Sequence, residues 1–358
     1  MSKLIALGAV VVFLALAMTA AQAEHGYTTL KYNPGQPGHT NTYDTFINRD
    51  APTTNYNGNW YGHITRKNNN PADPPEKSTL VRFDLPSWVH DSSVTIHGAK
   101  LGLWVYGLVD LDMSYDWVNV GAYRVNPNRD WVDSQATWNV FKSSWNWSTP
   151  GCEHTSFDRV ATPDDTLTFT KNSAINRYYE WTVTGSVNAW KGGAANRGWN
   201  MRVSDYDGGP EEGISVNLTE SSSAEYRPKL WLDWTQTPVA NADGPYSCNY
   251  LSSVVLNGSG SYERDAGSLV QWAWDLTGNG SYTDAFGVAP SLTWDYLVNT
   301  LGLTPGQNHQ IGLKVFDDDA EWSTAAYSSL FVAVPEPASV VALLVGLTGL
   351  IGLTRRKV

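Results

Sequence analysis

The chain has 358 residues, a formal net charge of −11 and a sequence pI near 5.0. That balance excludes nucleic acid as a partner, because phosphate binding requires clustered Lys and Arg to release counterions. The 31 Gly and 18 Pro break up short runs of Val, Leu, Thr, Tyr and Trp, and no long stretch keeps a helical apolar period, so the composition points to all-β architecture. The 17 Trp residues exceed what cores of this size require. Some are therefore expected at the surface.

In chain order, Lys3, the apolar run 4–17 and the small-residue site Ala21-Gln22-Ala23 come first. They form the basic, hydrophobic and cleavage regions of a secretory signal peptide over 1–23, with Glu24 the first mature residue. About 310 residues separate it from a second targeting segment at the C-terminus, enough for two domains. The first is expected over 24–236. Its strand-like segments are 79–85, 99–106, 118–125, 179–183, 199–203 and 229–234. Several of them alternate apolar and polar positions, which sets one face on a core and the other in water. Many short strands between turn-rich loops predict a two-sheet sandwich or jelly roll.

Asp44-Thr45-Phe46-Ile47 with Asn55-Tyr56, the Leu-Val-Arg-Phe-Asp-Leu strand at 80–85 and the run from Ala99 to Tyr106 resemble the opening of a DNRLRE domain. Tyr123-Arg124-Val125, Trp131, Thr137-Trp138-Asn139 and Trp181-Thr182-Val183-Thr184 continue the resemblance in order. Val187-Asn188-Ala189-Trp190 and Arg227-Pro228-Lys229-Leu230 complete it, so that it covers nearly the whole first domain. It implies a β-jelly-roll similar to carbohydrate-binding modules, of a kind found beside polysaccharide-degrading domains or in surface proteins. The chain departs from the family in a long loop between Asn139 and Leu167, rich in Trp, Ser and Pro.

Aromatic side chains stack on the apolar faces of sugar rings and lose little entropy in doing so. Trp104, Trp131, Trp138 and Trp190 lie in family motifs on or beside strands and are expected in the core. Trp145 and Trp147, flanked by Ser and Asn in the long loop, and Tyr56, Trp60 and Tyr61, in an Asn/Gly-rich segment, are the candidate ligand platforms. The alternative for both groups is that they plug the ends of the sandwich.

The segment 237–240 reads as a linker, and a second domain is expected over 237–333. Ala242-Asp243-Gly244-Pro245-Tyr246, the Val-Leu-Asn-Gly-Ser-Gly-Ser run at 255–261, Trp272-Ala273-Trp274-Asp275 and Val315-Phe316-Asp317-Asp318-Asp319 are similar to a PKD domain. This implies an immunoglobulin-like sandwich used as a spacer or adhesion module. Asp317, Asp318 and Asp319 are the candidate metal ligands, since adjacent carboxylates repel unless solvated or bound to a cation such as Ca2+; a solvated turn is the competing reading. Asp275 to Ser281 matches only the first positions of an EF-hand-like loop, because Phe286 stands where a bidentate Glu belongs. Asp205 and Asp207 are a third candidate.

Val334, Pro335, Glu336 and Pro337, an apolar run over 338–354 and the basic Arg355, Arg356 and Lys357 close the chain. The run is near the length of a bilayer span, and the terminal cations hold its end on the cytoplasmic side. This segment, 334–358, resembles the PEP-C-terminal sorting signal of Gram-negative bacteria. That resemblance implies an exosortase-type protease and the secretion machinery as partners, transient anchoring in the inner membrane and delivery to the cell envelope or matrix.

Catalytic signals are weak. The seven His are scattered, no nucleophile elbow or phosphate-binding loop occurs, and the adjacent acids Glu211 and Glu212 read as exposed. His63 or His154 beside Tyr61 is the one lyase-like combination. Cys152 and Cys248 fall in different expected domains, so two free thiols are the default and an interdomain clip the alternative. The sequence thus predicts an exported, non-catalytic polysaccharide-binding protein, with a polysaccharide lyase or hydrolase and a purely structural matrix protein as alternatives.

Overall fold

A computed structural model describes residues 25–335 except 37–38, 68–76, 112–115 and 208–210. The signal peptide, the apolar run 338–354 and the sorting residues Glu336, Pro337, Arg355, Arg356 and Lys357 lie outside the described residues. Within them no helix is long and apolar enough to cross a membrane. The chain divides into two compact units, one of which is His25–Gln236. The other takes up the described residues from Thr237 onward.

In the first unit, β1 (Gly26–Lys31), β2 (Thr42–Asn48), β3 (Tyr61–Arg66) and β4 (Lys77–Phe83) lead into the long β5 (Val94–Val109). Next come β6 (Trp117–Arg124), the hairpin of β7 (Val140–Lys142) and β8 (Trp145–Asn146), β9 (Thr166–Thr170) and β10 (Arg177–Thr182). A short helix, α1 (Thr184–Lys191), precedes β11 (Trp199–Tyr206), β12 (Glu212–Asn217) and β13 (Lys229–Gln236). The strands form one curled sheet in the order β1-β13-β5-β12-β3-β4-β11-β6-β9, with β2 added on β4 and β10 on β5. Its two halves meet at a single β3–β4 pair, Thr65 with Lys77, and fold over one shared core. The result is a β-sandwich.

Alternation explains which residues fill that core, and bulges explain where alternation fails. Along β5 the inward row is Val94 and Ile96, then Ala99, Leu101, Leu103 and Val105. Parity changes because Trp234 pairs Ile96 while Asp233 pairs Gly98, leaving His97 as an extra residue. A second bulge leaves Tyr106 unpaired between Val105 and Gly107. Such bulges re-aim side chains. Burying each Leu or Val of the inward row contributes roughly 1.5–3 kcal/mol.

The long loop after Asn139 is not an open excursion. Trp131, Trp138, Phe141, Trp147 and Cys152 join Ile47, Leu80, Val125 and Ala136 in a second apolar cluster. The Asp158 carboxylate, wholly buried, gathers the loop. Its oxygens accept from Arg129 Nε at 2.8 Å and from the backbone N–H groups of Ser148, Thr149 and His154.

The second unit contains β14 (Tyr246–Cys248), β15 (Ser253–Val255), β16 (Leu269–Asp275), β17 (Ala285–Phe286), β18 (Ser291–Thr293), β19 (Gln307–Asp317) and β20 (Ala326–Val332). Five of these make the sheet β14-β20-β19-β16-β17, and β15 pairs β18 separately. Trp274, Leu313, Val315 and Leu330 lie in its core, and the Trp274 indole N–H is satisfied by the Gly287 carbonyl at 3.1 Å. Cys152 and Cys248 are both free and buried. Burial pushes the Cys152 thiol far up, which keeps it from being a nucleophile.

Candidate functional site

Three of the five aromatic candidates meet on the outer face of β3. Tyr61 and His63 point away from the core, opposite Gly62 and Ile64. Trp60, just before this strand, is 49% exposed and packs edge-on against Tyr61, with ring centroids 5.2 Å apart. The bulged Tyr106 closes its other side at 5.3 Å. Tyr56 lies flat on the buried Phe46 at 4.0 Å, so one of its faces is already covered. His63 packs tilted against Tyr61 at 5.1 Å, and its Nδ1 is 3.0 Å from Ser215 Oγ on the neighbouring β12. Burial, reinforced by the Lys77 ammonium, holds the His63 imidazole below its ordinary pKa. The outcome is a braced indole with one side toward solvent.

The other two candidates part company. Trp145 stands on the β7–β8 hairpin, 59% exposed, with the Lys142 ammonium 5.2 Å from its ring. Trp147, by contrast, is 3% exposed and packed in the second apolar cluster, its indole N–H donating to the Thr137 carbonyl at 3.0 Å. It presents no face to a ligand, and the expectation of a Trp145/Trp147 platform is corrected. β8 ends at Asn146, so Trp147 leaves the ribbon and turns inward. Of the Trp residues expected in the core, Trp131, Trp138 and Trp190 are there, whereas Trp104 is half-buried on the outer face against Tyr178 and Tyr226.

That outer face also carries an open groove of about 530 Å³ that sequence reasoning missed. Trp231 on β13 lies across Gly102, where any Cβ would collide with its ring at 2.1 Å, so only Gly allows the indole to lie flat there. Tyr27, 77% exposed, and His97 at its bulge line the same groove. The sequence signal was a Gly at 102 diagonal to Trp231, which pairs Lys100 while Gly102 pairs Lys229, and it is visible only once the two strands are in register.

The acidic candidates of the second unit do not converge as expected. Asp317, 1% exposed, accepts from the Glu321 backbone N–H at 2.7 Å. Asp318 instead accepts from the Ser268 N–H at 3.0 Å. Asp317 and Asp318 therefore bind backbone beside the turn after β19, and no group of three ligand atoms including Asp317, Asp318 or Asp319 lies within 4.8 Å among the described residues. Asp275 likewise binds backbone, accepting from Gly278 N at 2.8 Å and Gly280 N at 2.8 Å, so its loop is a hairpin turn wrapped on a carboxylate.

Crowding of these acids makes a pH prediction. Burial, with the Asp265 and Asp317 carboxylates, pushes Glu263 up to about 7, and burial with Glu321, Asp265 and Asp318 raises Asp317. An acid whose native pKa exceeds its unfolded value, ~4.3 for Glu, binds more protons when folded, so stability falls as pH rises between the two values. The second unit is expected to melt at a lower temperature at pH 8 than at pH 5, and Glu263→Gln to flatten that decline. Parallel melting profiles for the two proteins would remove this account.

No known family profile matches the chain, and no curated protein does. Among solved structures, the fibronectin(III)-like modules of CbhA from Clostridium thermocellum match 26% of this chain and 97% of their own, at 17% identity and a TM-score of 0.19. A nucleoside hydrolase-related hypothetical protein from Saccharophagus degradans, associated with carbohydrate metabolism, matches 27% of this chain and 25% of its own at 20% identity and a TM-score of 0.19. The glycoside hydrolase domain of Endo-D from Streptococcus pneumoniae R6 covers 85% of this chain and 35% of its own at 8% identity and a TM-score of 0.17. Likenesses this distant carry no argument about the site.

Proposed function

We propose that the protein is an exported, non-catalytic surface or matrix component that binds polysaccharide on the outer face of its first unit. In this reading the first unit is a DNRLRE-type jelly roll and the second a PKD-like spacer. The segment 334–358 is a PEP-type signal read by an exosortase in the inner membrane of a Gram-negative-type bacterium. The observation that supports binding is Trp60, half exposed and held between Tyr61 and Tyr106. A rigid aromatic plane of this kind offers contact area to the C–H face of a pyranose without a large ordering cost.

Affinity electrophoresis of the full chain through acidic and neutral polysaccharides tests the proposal. Trp60→Ala is expected to weaken binding at least about tenfold, equivalent to ~1.4 kcal/mol, while Tyr327→Ala, an exposed aromatic of the second unit, changes nothing. Retention by no polysaccharide, or equal retention of wild type and Trp60→Ala, would refute it. One geometric fact favours a second reading: His63, whose imidazole burial holds below its ordinary pKa, sits beside Tyr61. As a proton-abstracting pair the two would make the platform a polysaccharide lyase, and release of unsaturated ends from alginate or pectin would decide for it.

A further inference from the structure

Alternation carries two carboxylates toward the interior of the first unit at one end of its core. Glu212 shares the inner row of β12 with Ile214 and Val216, both fully buried, and is itself 1% exposed. Asp116 extends the inner row of Val118, Val120 and Ala122 one step before β6 begins and is 5% exposed. Asp207, exposed at the end of β11, joins them from the rim, where its N–H bonds to the Trp117 carbonyl at 3.2 Å. Ligand oxygens of all three lie within 4.8 Å of one another, and they form the one such group among the described residues.

A second, independent observation points to a ligand. Glu212 Oε2 is buried and has no hydrogen-bond partner. Burying a carboxylate oxygen without a donor is expensive, and nearby carboxylates add repulsion instead of relief.

We propose that Asp116, Asp207 and Glu212 bind one Ca2+ at this end of the first unit. All-oxygen, anionic donors suit a hard divalent cation. Two oxygens bound to one Ca2+ at about 2.3–2.6 Å lie no more than ~5.2 Å apart, which matches the spread of this group. Mg2+ holds its waters and demands shorter, octahedral bonds, so a partly buried, irregular set favours the larger ion. The cation would tie the ends of β6, β11 and β12 together. Its binding does not depend on whether the outer face holds a glycan.

The test uses the full chain, stripped with EDTA and titrated with Ca2+ by calorimetry and thermal unfolding. Tb3+ serves as a luminescent substitute, sensitised by Trp117 and Tyr206, the chain neighbours of Asp116 and Asp207. Saturable binding and a rise in melting temperature are expected, with affinity at least tenfold weaker in Glu212→Gln. That variant removes repulsion and should fold at least as well as wild type in EDTA. Asp207→Asn, an exposed change, should weaken binding independently of any core effect. Asp317→Asn should leave the response intact. No saturable response at millimolar Ca2+, an unchanged response in both first-unit variants, or its loss only in Asp317→Asn would overturn the assignment.

Discussion

Trp147→Ala is expected to lower the stability of the first unit by about 3–5 kcal/mol, whereas Trp145→Ala changes it by less than ~0.5 kcal/mol. The two indoles are separated by one residue and flanked by the same polar residues, yet one is 3% and the other 59% exposed. Removing Trp147 opens a cavity among Trp138, Phe141 and Cys152 and leaves the Thr137 carbonyl without its donor. Removing Trp145 gives up only a peripheral ring contact with Phe141 and the Lys142 ammonium over its face, and Lys142 keeps its Asp130 partner at 2.8 Å. Urea unfolding followed through a signal confined to the first unit measures both. Equal losses for the two variants would mean that the hairpin does not sort them as described.

This pair shows what local sequence conveys and where it stops. Short β-strands in a turn-rich chain were legible, because apolar residues recur at every second position in 99–105 and 118–122. The same period shows that Trp104 falls on the opposite face from Leu101 and Leu103, so its place outside the core was readable from spacing alone. Assigning it to the interior gave its motif more weight than its parity. Bulges were not legible: nothing local marks His97 or Tyr106 as the extra residue opposite Asp233 and Ser215. Both bulged side chains lie on the outer face.

The acids divide in the same way. Glu212 reads as the exposed neighbour of Glu211, but its parity with Ile214 and Val216 carries it inward, while Glu211 pairs with Lys77 at 2.5 Å. That inward parity was available in the sequence. The approach of Asp116 and Asp207 was not, because it depends on β6 and β11 pairing across about 80 residues of chain. Runs such as Asp317 to Asp319 attract attention by adjacency, yet Asp317 ends β19 and accepts from the Glu321 N–H while Asp318, in the turn that follows, accepts from the Ser268 N–H, so the two face different partners.

The loop that holds Trp147 in place depends on one charge. Asp158→Ala is expected to destabilise the first unit by about 3–5 kcal/mol, the range for removing one partner of a buried ion pair. The carboxylate accepts four hydrogen bonds, and its loss leaves the Arg129 guanidinium and the Ser148, Thr149 and His154 amides without their acceptor. Asp158→Asn retains one acceptor oxygen but turns an amide NH2 toward donors, so it should recover only part of the loss. Amide exchange should quicken at Ser148, Thr149 and His154 first, since each reports directly on the missing bond. Because Ser148 follows Trp147, the Asp158→Ala and Trp147→Ala losses should also fall short of additivity: once either anchor is gone, the other has less ordered loop to hold. A loss below ~1 kcal/mol with those amides still protected, or strict additivity of the two changes, would show that the loop is held by its apolar cluster alone.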